Sequence, residues 1–190
     1  DLLKSWAAIS IAFTILRAGL KFNVTFAEIL LISAITVGSG FLLHELGHKI
    51  MAQRYGCFAE FRSDDKMLMF AIILSFTGFL FAAPGAVMIA GQVDTRRNGI
   101  ISMAGPAVNY ILAVCFLLLA MFFGQIEILG KIGVFGFMIN SWLGLFNMIP
   151  FSVFDGAKIL RWNKVAYGVM VGIGVLFVFG NSLINSIIGA

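Results

Sequence analysis

The chain has 190 residues, of which 61% are hydrophobic and only 12% charged. Soluble domains average about 45–50% apolar and about 25% charged residues, so a water-soluble fold of this length is excluded and an integral membrane protein is expected. The net charge of +4 reports on membrane topology, because no basic and aromatic stripe resembles a nucleic-acid surface.

A spanning helix needs about 20 mostly apolar residues. In chain order, such segments run from Trp6 to Leu20, Phe26 to Met51, Ile100 to Phe123, Ile132 to Ile149, and Val165 to Ile187. Polar breaks separate them at 21–24, 54–66, 92–98, 124–131 and 152–164. The expected fold is therefore all-α and polytopic, about five transmembrane helices in a single domain over residues 1–190.

One further apolar stretch runs from Met67 to Ala90, and within it Phe79 to Ile89 places Pro84-Gly85 centrally, the chemistry of a type II turn. The flanking aromatic and branched residues predict a short helix, Met67 to Phe76, followed by a membrane-embedded β-hairpin. Lipid cannot satisfy hairpin backbone, so the hairpin must be buried in protein or line a cavity. If this stretch is re-entrant rather than spanning, the cationic residues sort ten against three. Lys4, Lys49, Arg54, Arg62, Lys66, Arg96, Arg97, Lys158, Arg161 and Lys164 face Arg17, Lys21 and Lys131 across the bilayer. The richer side is expected to be cytoplasmic. Cys57 and Cys115 are isolated and read as free thiols.

The chain's two histidines both fall in His44-Glu45-Leu46-Gly47-His48. On a helix, positions i and i+4 share a face, so the pair can hold one zinc ion with Glu45 beside it as general base. The ordinary alternative is a helix end meeting the interface, but polar groups in a spanning segment default to function. Gly38, Gly40 and Gly47 on this helix read as close packing. A third ligand must be an acid. Glu127 falls on the opposite side by the charge count, and Asp94 beside Arg96 and Arg97 reads as a solvated, paired face. Asp155 follows the fourth span on the side of the histidines, where it is either a zinc ligand or a helix-capping residue before Gly-Ala-Lys.

Two segments together, His44-Glu45-Leu46-Gly47-His48 and Asn147-Met148-Ile149-Pro150 leading to Phe154-Asp155-Gly156, resemble the site-2 protease family of intramembrane zinc metalloproteases. Ala104-Gly105-Pro106, followed by Asn109, is similar to the segment that opens that family's middle core helix. The resemblance covers roughly residues 27 to 160 and implies a three-helix catalytic core. It implies one zinc per chain on His44, His48 and Asp155, with Glu45 catalytic. It further implies that Asn147 steadies the substrate backbone or the oxyanion. Asn109 would be a second polar contact, or else an interhelical hydrogen bond. The substrates implied are membrane-spanning proteins, cut within or near their bilayer segments. Two departures stand out: Phe154 replaces the usual Leu, and the turn in the 67–90 insert is not the commonest family form.

Two other classes compete. A Ste24-like membrane zinc protease would need a glutamate as third ligand, and Glu127 is badly placed for that. A non-proteolytic metal-binding transporter would be expected to show internal repeats, and none is visible.

Overall fold

The structure is a computed structural model that describes residues 1–19, 24–79, 84–151 and 153–180. The chain begins with α1 (Leu2–Ala18) and α2 (Val24–Ser33), passes through a π-helical stretch (Ala34–Gly38), and continues as α3 (Ser39–Arg54). Then come β1 (Phe58–Ser63), α4 (Asp65–Ser75), β2 (Gly85–Ala90), α5 (Thr95–Phe123), α6 (Glu127–Asn147), α7 (Asp155–Trp162) and α8 (Lys164–Phe179).

Among the described residues, three helices are long and apolar enough to cross a membrane: the continuous 31-residue helix Val24–Arg54, α5 with 29 residues and α6 with 21. The other two expected spans are α1, of 17 residues, and α8, of 16. Both fall short of the length of about 20 that a perpendicular crossing needs. Residues 181–190, into which the fifth expected span runs, lie outside the described residues.

The π-helical stretch is held from the side. Trp6 of α1 donates from its Nε1 to Ala34 O at 3.1 Å, and Gly38 lets the two helices touch, since a Cβ there would lie 2.5 Å from Ser10 Oγ. A π stretch re-phases the helix that follows it, and here that helix carries both histidines.

The 124–131 break expected before the fourth span is mostly helical. Glu127 opens α6, and Lys131 pairs with Glu127 one turn away at 2.6 Å and with Glu28 of α2 at 2.7 Å. Paired charges can sit in a helical first turn without breaking it. The 152–164 break likewise contains α7. Ile159 is wholly buried, and Tyr110, Met148 and Met170 join it in one apolar cluster, so a short helix with a single apolar side docks between α5, α6 and α8.

The expected helix after residue 66 is found as α4, opened by Asp64, whose side chain accepts from the backbone N–H groups of Lys66 and Met67. The expected hairpin is corrected. Pro84-Gly85 is not its turn. Gly85 is the first residue of β2, and β2 pairs antiparallel with β1, which precedes α4. Residues 80–83, where the first hairpin arm was placed, lie outside the described residues. Phe61 pairs with Val87 and Ser63 with Gly85. A Cβ on Gly85 would meet Arg62 O at 2.1 Å, and its φ of 147° suits glycine, so this residue permits the close approach of the strands. The reason for the miss is physical: strand pairing is non-local, and the partner lies beyond an intervening helix. The sheet buries Ala59 and Phe61 on the α3 side, with Val87 and Ile89 half-buried beside them and Phe41 and Phe61 edge to face at 5.8 Å. Both cysteines are free thiols.

Candidate metal centre

His44 and His48 occupy one face of α3, and both are buried. Their Nε2 atoms lie 3.0 Å apart. Asp155, the first residue of α7, brings Oδ2 to 3.4 Å from His44 Nε2 and 3.1 Å from His48 Nε2. A tetrahedral zinc ion with bonds of about 2.0–2.2 Å holds its ligand atoms about 3.3 Å apart. The three donor atoms therefore fit such an ion. Among the described residues, these three alone form a group of metal-ligating side chains.

The position of Asp155 depends on α7. Phe154 is the N-cap, without a side-chain hydrogen bond, so the aspartate is not the capping residue that its place before Gly-Ala-Lys allowed. Gly156 lets α7 press on the end of α6, since a Cβ there would sit 2.2 Å from Met148 O. At the other end Gly99 of α5 meets Trp162, with 2.4 Å between a hypothetical Cβ and the Trp162 Cβ. Between these contacts the carboxylate is aimed at the imidazoles, while its Oδ1 faces Lys158 Nζ at 3.6 Å.

Each imidazole is also anchored through its other nitrogen. His48 Nδ1 lies 2.8 Å from Ile101 O, and His44 Nδ1 lies 2.6 Å from Asn109 Oδ1. Each acceptor takes the proton on Nδ1, so Nε2 is left with the lone pair a metal needs. Gly105 of α5 closes the arrangement. A Cβ there would lie 2.4 Å from His48 Nε2 and 2.6 Å from His44 Nε2, so a bare backbone keeps the converging nitrogens clear.

The remaining expected residues fall as follows. Glu45 lies on α3 itself, next to His44, and is half-buried, and its carboxylate faces the backbone N–H of Val87 in β2. Asn109 is fully buried; its Nδ2 donates to Gly40 O at 3.2 Å and to Asn140 Oδ1 at 3.1 Å. Its polar atoms meet His44 and Gly40 of α3 and Asn140 of α6, the interhelical hydrogen bonding that was the alternative to a substrate contact. Asn147, half-buried at the end of α6, turns its Nδ2 back on Leu143 O at 2.9 Å. Asp94 caps α5, accepting from Arg97 N at 2.7 Å, and Glu127 is paired with Lys131. Sequence reasoning missed Asn140, although an amide inside the apolar run of α6 was the available signal.

Comparison with known proteins agrees with the donor set. The chain is 43% identical over 144 residues to the "Putative zinc metalloprotease MJ0611" of Methanocaldococcus jannaschii, covering 75% of each protein. The chain belongs to this family of zinc metalloproteases. It is also 32% identical over 121 residues to the "Zinc metalloprotease MJ0392" of the same organism, and 28% identical over 148 residues to the "Putative zinc metalloprotease Rip3" of Mycobacterium tuberculosis. Those alignments take in 63% and 74% of this chain but span only 30% and 34% of the two relatives' length. No family profile and no solved structure matches the chain.

Proposed function

We propose that the protein is an intramembrane zinc metalloprotease of the site-2 type, cutting peptide bonds within or near the membrane segments of other proteins. One observation carries this reading: the two imidazoles and the carboxylate that fit zinc converge on an apolar helix of 31 residues, long enough to cross a membrane. A soluble protease has no reason to build its metal site there. His44, His48 and Asp155 hold one ion per chain. Zinc, when bound, supplies a Lewis acid and acidifies a water ligand. Glu45 takes the proton of the attacking water and returns it to the departing amine nitrogen. Asn147, at the end of α6, offers its amide to the substrate backbone.

Access and topology follow from the same reading. The pairing of Ser63 with Gly85 supports a re-entrant segment, one that leaves and returns at one place without crossing the bilayer. The charge count then stands, and the active site opens towards the cytoplasm of a multi-pass protein in which α1 and α8 complete five spans. Helical substrates hide their peptide bonds and must unwind. The Val87 N–H, facing Glu45, lies on β2 beside the general base, and the β2 edge adds the unwound substrate as a further strand. Neither the Ste24-like alternative nor the transporter draws support, because Glu127 is engaged with Lys131 while Asp155 stands with the histidines.

The test is reconstitution of wild type and Glu45→Gln in liposomes with a membrane-spanning substrate, with zinc content measured on both. Wild type cleaves and holds one zinc; the variant holds zinc and does not cleave. Equal cleavage by the two would refute the assignment.

A further inference from the structure

The two imidazoles are oriented by different means. His48 leans on Ile101 O, a backbone carbonyl that no substitution at 101 removes. His44 leans on the Asn109 side chain, which is itself held by Asn140 of α6. We propose that Asn140 is a positioning residue for the metal centre: acting through Asn109, it fixes the tautomer and direction of the His44 ring. The inference rests on the zinc-site reading above and deepens it.

An amide has two ends of nearly one shape, one that donates and one that accepts. If Asn109 turned its NH2 group towards His44, Nδ1 would have to accept. The ring proton would then sit on Nε2, and the lone pair aimed at the metal would be lost. Two acceptors decide between the settings: Gly40 O, a backbone carbonyl, and the side-chain oxygen of Asn140. Asn140 Nδ2 donates to Gly136 O at 3.0 Å, a backbone acceptor that cannot reverse. That leaves Asn140 Oδ1 facing Asn109, and only an N–H satisfies it. Asn109 therefore presents Nδ2 to Asn140 and to Gly40 O, and Oδ1 to His44 at 2.6 Å. The donors run one way, from His44 through Asn109 and Asn140 to Gly136.

Both amides have zero solvent exposure, so water does not substitute for either partner. The contact also explains Gly40. A Cβ there would lie 2.4 Å from Asn140 Oδ1, so the glycine makes room for the relay rather than serving general helix packing. The relay joins α3, α5 and α6, and keys the metal-facing ring to the seating of α6.

The test uses the full chain in detergent as wild type, Asn140→Leu, Asn140→Ala and Asn140→Asp, each checked for folding by circular dichroism and gel filtration. Zinc affinity is read by chelator competition, and the ligand field by the visible spectrum of the Co(II)-loaded protein. Loss of an orienting partner costs about 10–100-fold in metal affinity. Because Asn140 acts through Asn109, Asn140→Leu is expected near the lower end, about 10-fold weaker, with a changed Co(II) spectrum. Asn140→Asp, as the neutral acid that burial favours, keeps an acceptor facing Asn109 and an O–H for Gly136 O, and is expected to restore both readouts. If Asn140→Leu does not fold, Asn140→Ala carries the same expectation. Wild-type affinity and an unchanged spectrum in the folded apolar variant would overturn the proposal, as would loss without recovery in Asn140→Asp. Wild type that takes up no zinc would instead overturn the metal-centre reading itself, which is a separate outcome.

Discussion

A methyl group placed on Gly105 would lie 2.4 Å from His48 Nε2, inside contact distance of the atom that faces the metal position. The glycine of α5 is thus part of the site, although it brings no side chain to it. Its place one residue before Pro106 matters too, because proline removes a rung of the helix ladder at the level of the site.

Gly105→Ala is expected to lose zinc while keeping the helical fold. Either α5 retreats or the imidazoles turn, and overpacking of this kind costs about 1–3 kcal/mol. Gly168→Ala on α8 is the control, since nothing lies within 4 Å of a Cβ there. Metal analysis after dialysis should find zinc in the control and wild type and little in Gly105→Ala; equal zinc in all three would show that the close approach relaxes.

Glu45→Gln keeps the size of the side chain and removes its ability to take a proton. General bases contribute about 10²–10⁴-fold, so turnover of a membrane-spanning substrate should fall by that factor with zinc content unchanged. A smaller fall would mean that another group moves the proton.

Zinc should stabilise the protein measurably. Binding to the folded state alone adds about 2.7 kcal/mol at a free-ion concentration 100 times Kd. Thermal unfolding of metal-free wild type should therefore shift upward on adding zinc, whereas His48→Ala and Asp155→Ala should respond little. A wild-type curve indifferent to zinc would contradict the ligand set.

Val87→Pro tests the strand edge. Its N–H faces Glu45, and proline is tolerated on the edge side of a strand. KM for both a membrane-spanning substrate and a short extended peptide should rise, with zinc retained. Unchanged KM for both would remove the β2 edge from substrate capture.

Much of this site was legible in one dimension. The His44 and His48 pair with Glu45 is local, because four residues on a helix set their mutual geometry before any packing. Three of the five apolar runs announced membrane-length helices for the same reason: length and composition are properties of a segment alone. Asp155 was reachable by charge topology, which needs only the order of the loops. The β1 strand was harder. Phe58–Ser63 places Ala59 and Phe61 on one face with Glu60 and Arg62 on the other, but its partner lies beyond α4.

What only the tertiary structure decided is where polar atoms end. The sequence by itself determined that two histidines one turn apart and a glutamate sit together in an apolar helix, since helical periodicity acts along the chain. It could not assign the acceptors for the His44 and His48 ring nitrogens, the donor for Asn140 Oδ1, or the glycine facing the metal position. Those depend on contacts between helices distant in the chain, where an amide can be turned either way until a backbone carbonyl such as Gly136 O sets its direction. Packing of α5 and α6 against α3 therefore turned a pair of histidines into an oriented pair.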